Sequence, residues 1–452
     1  MATQVDTLTL MRNEDVGFLL VQFVDINGSP RMRMVPSAQF AKAADDGVPV
    51  DVGTLPGFEH DGYGRVTTAC IDLGSYTSVP WTEGVARFAS DLYVDGQPHP
   101  LCPRQNLKRI LSFLRREGYL FNVGIEPEHF LVTKNPNGSI AEWDPNRTDQ
   151  LRNPCYDFKA TASAIGYLRD IMDAMDRLGW GPYQCDHEDA NGQFETNFGY
   201  ADALTTADRY TFFKMMTRKY AQRYGAIATY MAKPFEDRPG SGGHIHYHLA
   251  NATTGQNLFV DEEDPRGLGL SEIAYNFIGG VFAHAPALCA VMSPTVNCYK
   301  RLQVGPIFVD PNSEFVWPPA FVSYGDNNRT QMIRTAGPGN LEERSMSSAC
   351  NPYLAWGAYV MAGMDGIRRK LDPGEPYLGN LYGLGLEEIR RRGIRMLPQT
   401  LSESLAELKQ DRLVQESMGA IYQEFLNLKE QEWQEYHRQV TRWELQRYLT
   451  LF

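Results

Sequence analysis

The chain predicts an α+β protein in two parts, and three observations carry that reading. Two apolar runs flank Asn27-Gly28 near the start, a Pro-rich link lies at His99-Pro100-Leu101-Cys102-Pro103, and helical and extended patterns alternate after it. At 452 residues the chain exceeds one ordinary hydrophobic core. The expected domains are residues 1–103 and 104–452.

In order along the chain, Phe18 to Val24 reads as a strand that turns at Asp25-Ile26-Asn27-Gly28 into Arg31-Met32-Arg33-Met34-Val35. Asn-Gly suits that turn because both residues tolerate positive φ. Pro36-Ser37 opens a short helix. Leu107, Ile110, Leu111 and Leu114 repeat at helical spacing over residues 104–117, and Gly118 stops the helix. Residues 121–131 form a strand whose alternation puts Glu126 and Glu128 on one face, in unusually apolar company. Helices follow at 160–178 and 206–220, separated by the acidic run Asp186-His187-Glu188-Asp189 and by Glu195 beyond a glycine turn. Residues 226–233 read as a strand, and so do 327–334, with Arg329 and Arg334 in it. Asn351-Pro352 marks a helix entrance. Residues 402–448 read as amphipathic helix, its charged face with Lys429, Glu432 and Glu444 structural.

Composition is globular, with 43% hydrophobic and 22% charged residues. A net charge of −12 disfavours nucleic acid and anionic membranes as partners, since both need a basic face. Seven scattered cysteines without a CxxC pair predict reduced thiols and a cytoplasmic location. No basic, apolar leader is visible, and the most apolar stretch, near 277–291, is interrupted by Gly279-Gly280 and Pro286, so no membrane span is expected.

The densest chemistry lies in Gly240-Ser241-Gly242-Gly243-His244-Ile245-His246-Tyr247-His248. Extended chain puts the three histidines on one face, behind glycines that permit positive φ and close backbone approach. A solvated histidine-rich strand has the same spacing, so partners elsewhere must decide. The acidic strands supply them. Two like charges ~4 Å apart repel by roughly 4 kcal/mol at an effective dielectric of about 20, so several glutamates in one cavity require cations. Carboxylates with imidazole suit Mg²⁺ or Mn²⁺, and such ions with arginines make a phosphoryl-transfer site. Neither a Walker A sequence nor a kinase glycine loop is present.

Seven segments in order, Glu126-x-Glu128, Glu188 with Gly192-Gln193-x-Glu195, Gly240-Ser241-Gly242-x-His244-x-His246, Asn297-x-Tyr299-Lys300-Arg301-Leu302, Asn328-Arg329, Glu342-x-Arg344 and Asn351-Pro352-Tyr353-Leu354, resemble the glutamine synthetase family. The resemblance extends to the Trp443-Glu444 tail. It implies an N-terminal β-grasp domain and a catalytic domain on an antiparallel half-barrel sheet with surrounding helices. It also implies ATP, two or three Mg²⁺ or Mn²⁺ ions per site, and a homo-dodecamer of two stacked hexameric rings with active sites between subunits. Glu128, Glu188 and Glu195 would hold one metal and Glu126, His244 and Glu342 another, with His246 near the ATP phosphates. Gly240, Arg301 and Arg344 would bind L-glutamate, Arg329 and Arg334 would face the transferred phosphoryl group, and Asp51 would serve the neighbouring subunit's site.

The sequence departs from that family where a flap glutamate is expected, since Gln303-Val304-Gly305-Pro306-Ile307 puts isoleucine there. An apolar residue weakens an ammonium site and leaves room for an alkyl group. The expected reaction is therefore ligation of glutamate to methylamine or a similar small amine. Ammonia remains the alternative, and a non-catalytic glutamate- or amine-binding relative a third. Glu314 or Asp186 would supply the missing carboxylate. Pro239 replaces the usual asparagine, and Tyr382, which resembles a tyrosine modified in some members, reads as a surface residue.

Overall fold

The structure, a computed structural model, describes residues 3–58, 66–144, 151, 154–304 and 317–452. The opening hairpin pairs Phe18–Val24 with Pro30–Pro36 in antiparallel register, Phe18 opposite Pro36 and Val24 opposite Pro30. Gly28 closes the turn at φ +79°. The first strand also runs parallel to Val85–Val94, and seven strands between residues 18 and 98 form one sheet. The helix Pro103–Arg116 follows, with Pro103 at its first turn, where a missing N–H costs nothing.

The second sheet has ten strands among the described residues. Its spine is the long strand Tyr119–Lys134, flanked by Gln193–Phe198 and by the histidine strand Gly243–Asn251. Pro182–His187 extends one side, while Asn340–Glu343, Ile333–Gly337 and Tyr324–Gly325 extend the other. All its pairings are antiparallel except the last, so the fold is α+β, with a predominantly antiparallel sheet. Helices Glu272–Met292 and Pro352–Arg369 pack closely because small residues face each other. A Cβ on Gly280 would lie 2.2 Å from the Ala362 carbonyl oxygen. By length and composition Glu272–Met292 could cross a membrane, but 67% of its apolar window is buried against the protein. Gly279, Gly280 and Pro286 do not break this helix.

One apolar cluster runs from Val21 to Leu426 and so joins both sheets. Several sequence expectations change. The predicted strand at 226–233 is only Ile227–Thr229, because Pro234 and the polar loop after it leave the ladder. Residues 327–332 are turns and bends, so Arg329 stands on a turn while Arg334 is in the strand Ile333–Gly337. The expected C-terminal helix is four, Leu401–Leu408, Arg412–Met418, Ile421–His437 and Arg442–Tyr448, with Asp411, Gly419 and Thr441 at the breaks. Within the charged face read as structural, Lys429 is buried and its ammonium meets Glu432 at 3.0 Å. Tyr382 is half-buried, packed on Phe321 with its hydroxyl donating to the Pro318 carbonyl.

Candidate active site

The pairing of strands assembles the site, because residues directly opposite on adjacent strands share a face. Glu126 stands opposite His244, Glu128 opposite Glu195, and Glu195 opposite Asp186. On the other side His246 and Arg334 both stand opposite Glu342. A row of carboxylates and imidazoles therefore crosses five strands. Glu188, Arg301, Arg329 and Arg344 join Glu126, Glu128, Glu195, Asp186, His244, Arg334 and Gly240 around one cleft.

Among the described residues, two groups place ligand atoms of three side chains within 4.8 Å of one another, Glu126 with Glu195 and His244, and Glu126 with His246 and Glu342. The groups share Glu126. Glu128, Glu188 and Glu195, expected to share one metal, line the same cleft, and Glu195 also comes within this distance of Glu126 and His244, as His246 does of Glu126 and Glu342. His246 Nε2 donates to Glu126 at 3.0 Å, and its Nδ1 lies 3.2 Å from Asn340 Oδ1. Burial opposes the charged form of His246, but Glu126 and Glu342 outweigh it and raise its pKa. His244 differs. Arg301 donates to its Nε2 at 3.0 Å, leaving Nδ1 toward Glu128 at 3.5 Å and Glu342 at 3.7 Å. Burial and then Arg344 keep His244 below the usual imidazole range, in the neutral form a metal needs.

The carboxylates divide in the same way. Burial works against the charge of Glu126, but hydrogen bonds from His244 and His246 hold it well below the usual range. Glu342 is also held low despite complete burial, since Arg344 donates to it at 2.6 Å and Arg334 also contacts it. Glu188 is pushed up to about 8 by burial and by Glu128 and Asp189. Glu195 is raised by burial and by Glu126, Glu188 and Glu128. Among the described residues the cations are too few for this wall. Oxygen donors with imidazole fit one or more hard divalent ions, and the acid cluster has the charge deficit such ions fill.

The glycine loop is selected by space rather than by backbone angle. None of Gly240, Gly242 and Gly243 has positive φ. A Cβ on Gly240 would lie 2.4 Å from the Ala232 carbonyl and 2.9 Å from Arg301 Cγ, and one on Gly242 would lie 2.3 Å from His244 Nε2. Gly242 N–H donates to Glu128 at 2.9 Å, and Gln193 bridges Glu128 at 3.0 Å and the Gly240 carbonyl at 3.2 Å.

Asp51 is exposed, accepts from Gly53 N–H at 3.0 Å, and does not line the cleft of its own chain. Glu314 and Ile307 lie outside the described residues. His248 is taken up by Asn122 at 3.0 Å and by the ring of Tyr200. Sequence reasoning missed Asn197, which donates to Glu195 at 2.9 Å, and Asn340. Asn197 was within reach, being two residues from Glu195 on one strand face. It also missed Tyr156, Tyr183 and Trp317, which line the cleft together with Asp186 and Asp189. Nothing local marks those aromatics.

This arrangement, an antiparallel sheet carrying acids and imidazoles against arginines, belongs with known proteins. The family profile of the glutamine synthetase catalytic domain matches residues 100–448, and the chain belongs to the glutamine synthetase family. A glutamate–methylamine ligase of Methyloversatilis universalis is 41% identical over 448 residues, 98% of each chain. A glutamine synthetase of Rhizobium leguminosarum bv. phaseoli is 35% identical, covering 97% of this chain and 98% of its own. Among solved structures, a GmaS/ADP complex superposes with a TM-score of 0.90 at 36% identity, covering 98% of this chain and 99% of that one.

Proposed function

We propose that the protein is an ATP-dependent ligase joining the γ-carboxylate of L-glutamate to a small primary amine, methylamine or similar. The carrying observation is the cleft where Glu126, Glu128, Glu188 and Glu195 face Arg301, Arg329, Arg334 and Arg344. Glu128, Glu188 and Glu195 would hold one divalent ion and Glu126, His244 and Glu342 another, with His246 toward the ATP phosphates and two or three Mg²⁺ or Mn²⁺ in all. When bound, such ions neutralise phosphate oxygens. Arg301, Arg344 and the Gly240 backbone grip glutamate, while Arg329 and Arg334 face the phosphoryl group in flight.

In the first step a γ-carboxylate oxygen bonds to the terminal phosphorus of ATP and the bond to ADP breaks. In the second the amine nitrogen bonds to the acyl carbon, phosphate leaves, and the ammonium proton passes to a carboxylate. Asp186 in the cleft, or Glu314, takes that proton. Residues 1–103 and 104–452 form the two domains, Asp51 reaches a neighbouring subunit's site, and the assembly is a cytoplasmic homo-dodecamer of two stacked hexameric rings.

Support for an alkylamine over ammonia comes from the cleft wall. Tyr156, Tyr183 and Trp317 line the same cleft as Asp186, Glu188 and Asp189. Carboxylates attract any ammonium, whereas aromatic faces also accept the methyl group and favour a cation low in hydration. Glutamine synthesis from ammonia is the second reading, supported by the glutamine synthetases among the relatives. ADP release measured with ATP, glutamate and a panel of amines decides. We expect release to require both glutamate and amine, with methylamine turned over faster than ammonia. Faster turnover of ammonia would establish the second reading instead.

A further inference from the structure

Behind the glycine loop lies a second cavity of about 1010 Å³. It shares Gly240 and Arg301 with the cleft, so the loop of residues 233–239 forms a partition. That loop is braced from within. Asn297 accepts from Lys233 N–H and donates to the Lys233 carbonyl, both at 2.9 Å, and the Lys233 ammonium donates to the Arg238 carbonyl, two residues before Gly240.

The cavity has cations to spare. Among the described residues no carboxylate lies within ion-pair distance of Lys233 or Lys300. Lys300, which is exposed, instead stands 5.6 Å from the centre of the Tyr436 ring, and Trp433 lies tilted to that ring at 6.0 Å with His437 stacked on it at 5.4 Å. The carboxylates that line the cavity are Glu236 and Asp237, both exposed, and Asp237 is engaged with Arg238 at 3.1 Å. Arg238 is further neutralised by Glu142 at 3.1 Å. Two lysines without a carboxylate in ion-pair contact, Lys233 with only the more distant charge of Asp237 and Lys300 against the Tyr436 ring, in a space of ligand size also lined by Trp433, describe a binding site rather than a packing gap.

We infer that this cavity binds a small organic anion, its carboxylate or phosphate on Lys233 and Lys300 and its planar body against Trp433 and Tyr436, and that occupancy weakens glutamate capture. The link is mechanical. An anion that draws the Lys233 ammonium off the Arg238 carbonyl frees the segment leading into Gly240, whose backbone the proposed function assigns to glutamate. The inference rests on that assignment only for its effect, since binding itself is independent of it.

Calorimetry on the intact enzyme, with benzoate as the carboxylate probe and uridine 5′-monophosphate as the phosphate probe, tests the site. A pyrimidine nucleotide is chosen to avoid competition with ATP. The expected result is binding of at least one probe, weakened about tenfold in Lys300→Met and in Lys233→Gln by loss of one charge-assisted contact. Lys300→Met should retain basal activity, and in the wild type the probe should raise the glutamate KM with kcat unchanged. No heat from either probe up to about 10 mM, or affinity unchanged in both variants, overturns the site. Binding with an unchanged glutamate KM overturns the link to the loop, and because calorimetry needs no turnover, the cavity and the glutamate assignment fail separately.

Discussion

Two buried clusters of charge in this molecule are built on opposite terms. At the junction of the two sheets Arg104 reaches Asp72, Asp91 and Asp208, each at 2.8 Å, while Lys108 adds a contact of 2.5 Å to Asp91. Tyr353 donates to Asp208 at 2.7 Å, and Arg87 reaches the Asp208 carbonyl at 3.4 Å. Every acid there has its cation. Burial works against the charge of Asp72, but Arg104 outweighs it and holds the carboxyl low. In the cleft, Arg334 and Arg344 are both spent on Glu342, and Arg301 on His244 and on carbonyls. Arg329 offsets part of the charge of Glu188, yet Glu188 and Glu195 still repel one another. A cluster whose counter-charges come from the chain is structural, and one whose counter-charges are missing is waiting for a ligand.

The largest test of that contrast is Glu195→Gln, which keeps the acceptor for Asn197 and removes a charge. Activity with saturating substrates should fall by about 10²–10³-fold, the scale of one lost electrostatic contact at a reacting centre. Thermal stability without added metal should rise, because repulsion is relieved, and the stabilisation conferred by Mg²⁺ should shrink. A fall in metal-free stability would break the comparison. The converse test is Arg104→Met. Leaving three aspartates without their partner should destabilise the fold by about 3–5 kcal/mol in denaturant titration. The glutamate KM of the folded fraction should be unchanged.

A smaller effect sharpens the contrast from the balanced side. His284 lies between Asp411 at 2.6 Å and Asp365 at 3.1 Å and ties three helical segments together. Burial lowers its pKa, but the two aspartates outweigh burial and raise it. The folded value exceeds the unfolded one, so its contribution is complete below about pH 6.5 and is lost as pH rises through the folded value. Melting temperatures measured across that range should decline in the wild type and decline less in His284→Gln. Parallel profiles would mean that the histidine carries no such linkage.

Much of the site was legible one strand at a time. Alternation put Glu126 with Glu128 and His244 with His246, because side chains two apart share a face whatever the fold. Asn27-Gly28 wrote its own hairpin, and Asn351-Pro352 its own helix start, since both rest on local backbone preferences. Where the sequence misled, the deciding contact was distant. Tyr382 is held by a carbonyl 64 residues away, and Arg329 left its strand for a turn.

What the sequence alone determined, then, is which side chains share a strand face and in what order the acids, imidazoles and arginines arrive. Only the tertiary structure decided which strand lies beside which. Register made Glu128 face Glu195 and His246 face Glu342, and of the two roles expected of the glycines, positive φ and close approach, it kept only the approach to Arg301 and His244. Pattern is local because each residue's geometry is local. Charge balance is not, since it depends on which groups the fold brings within a few ångströms.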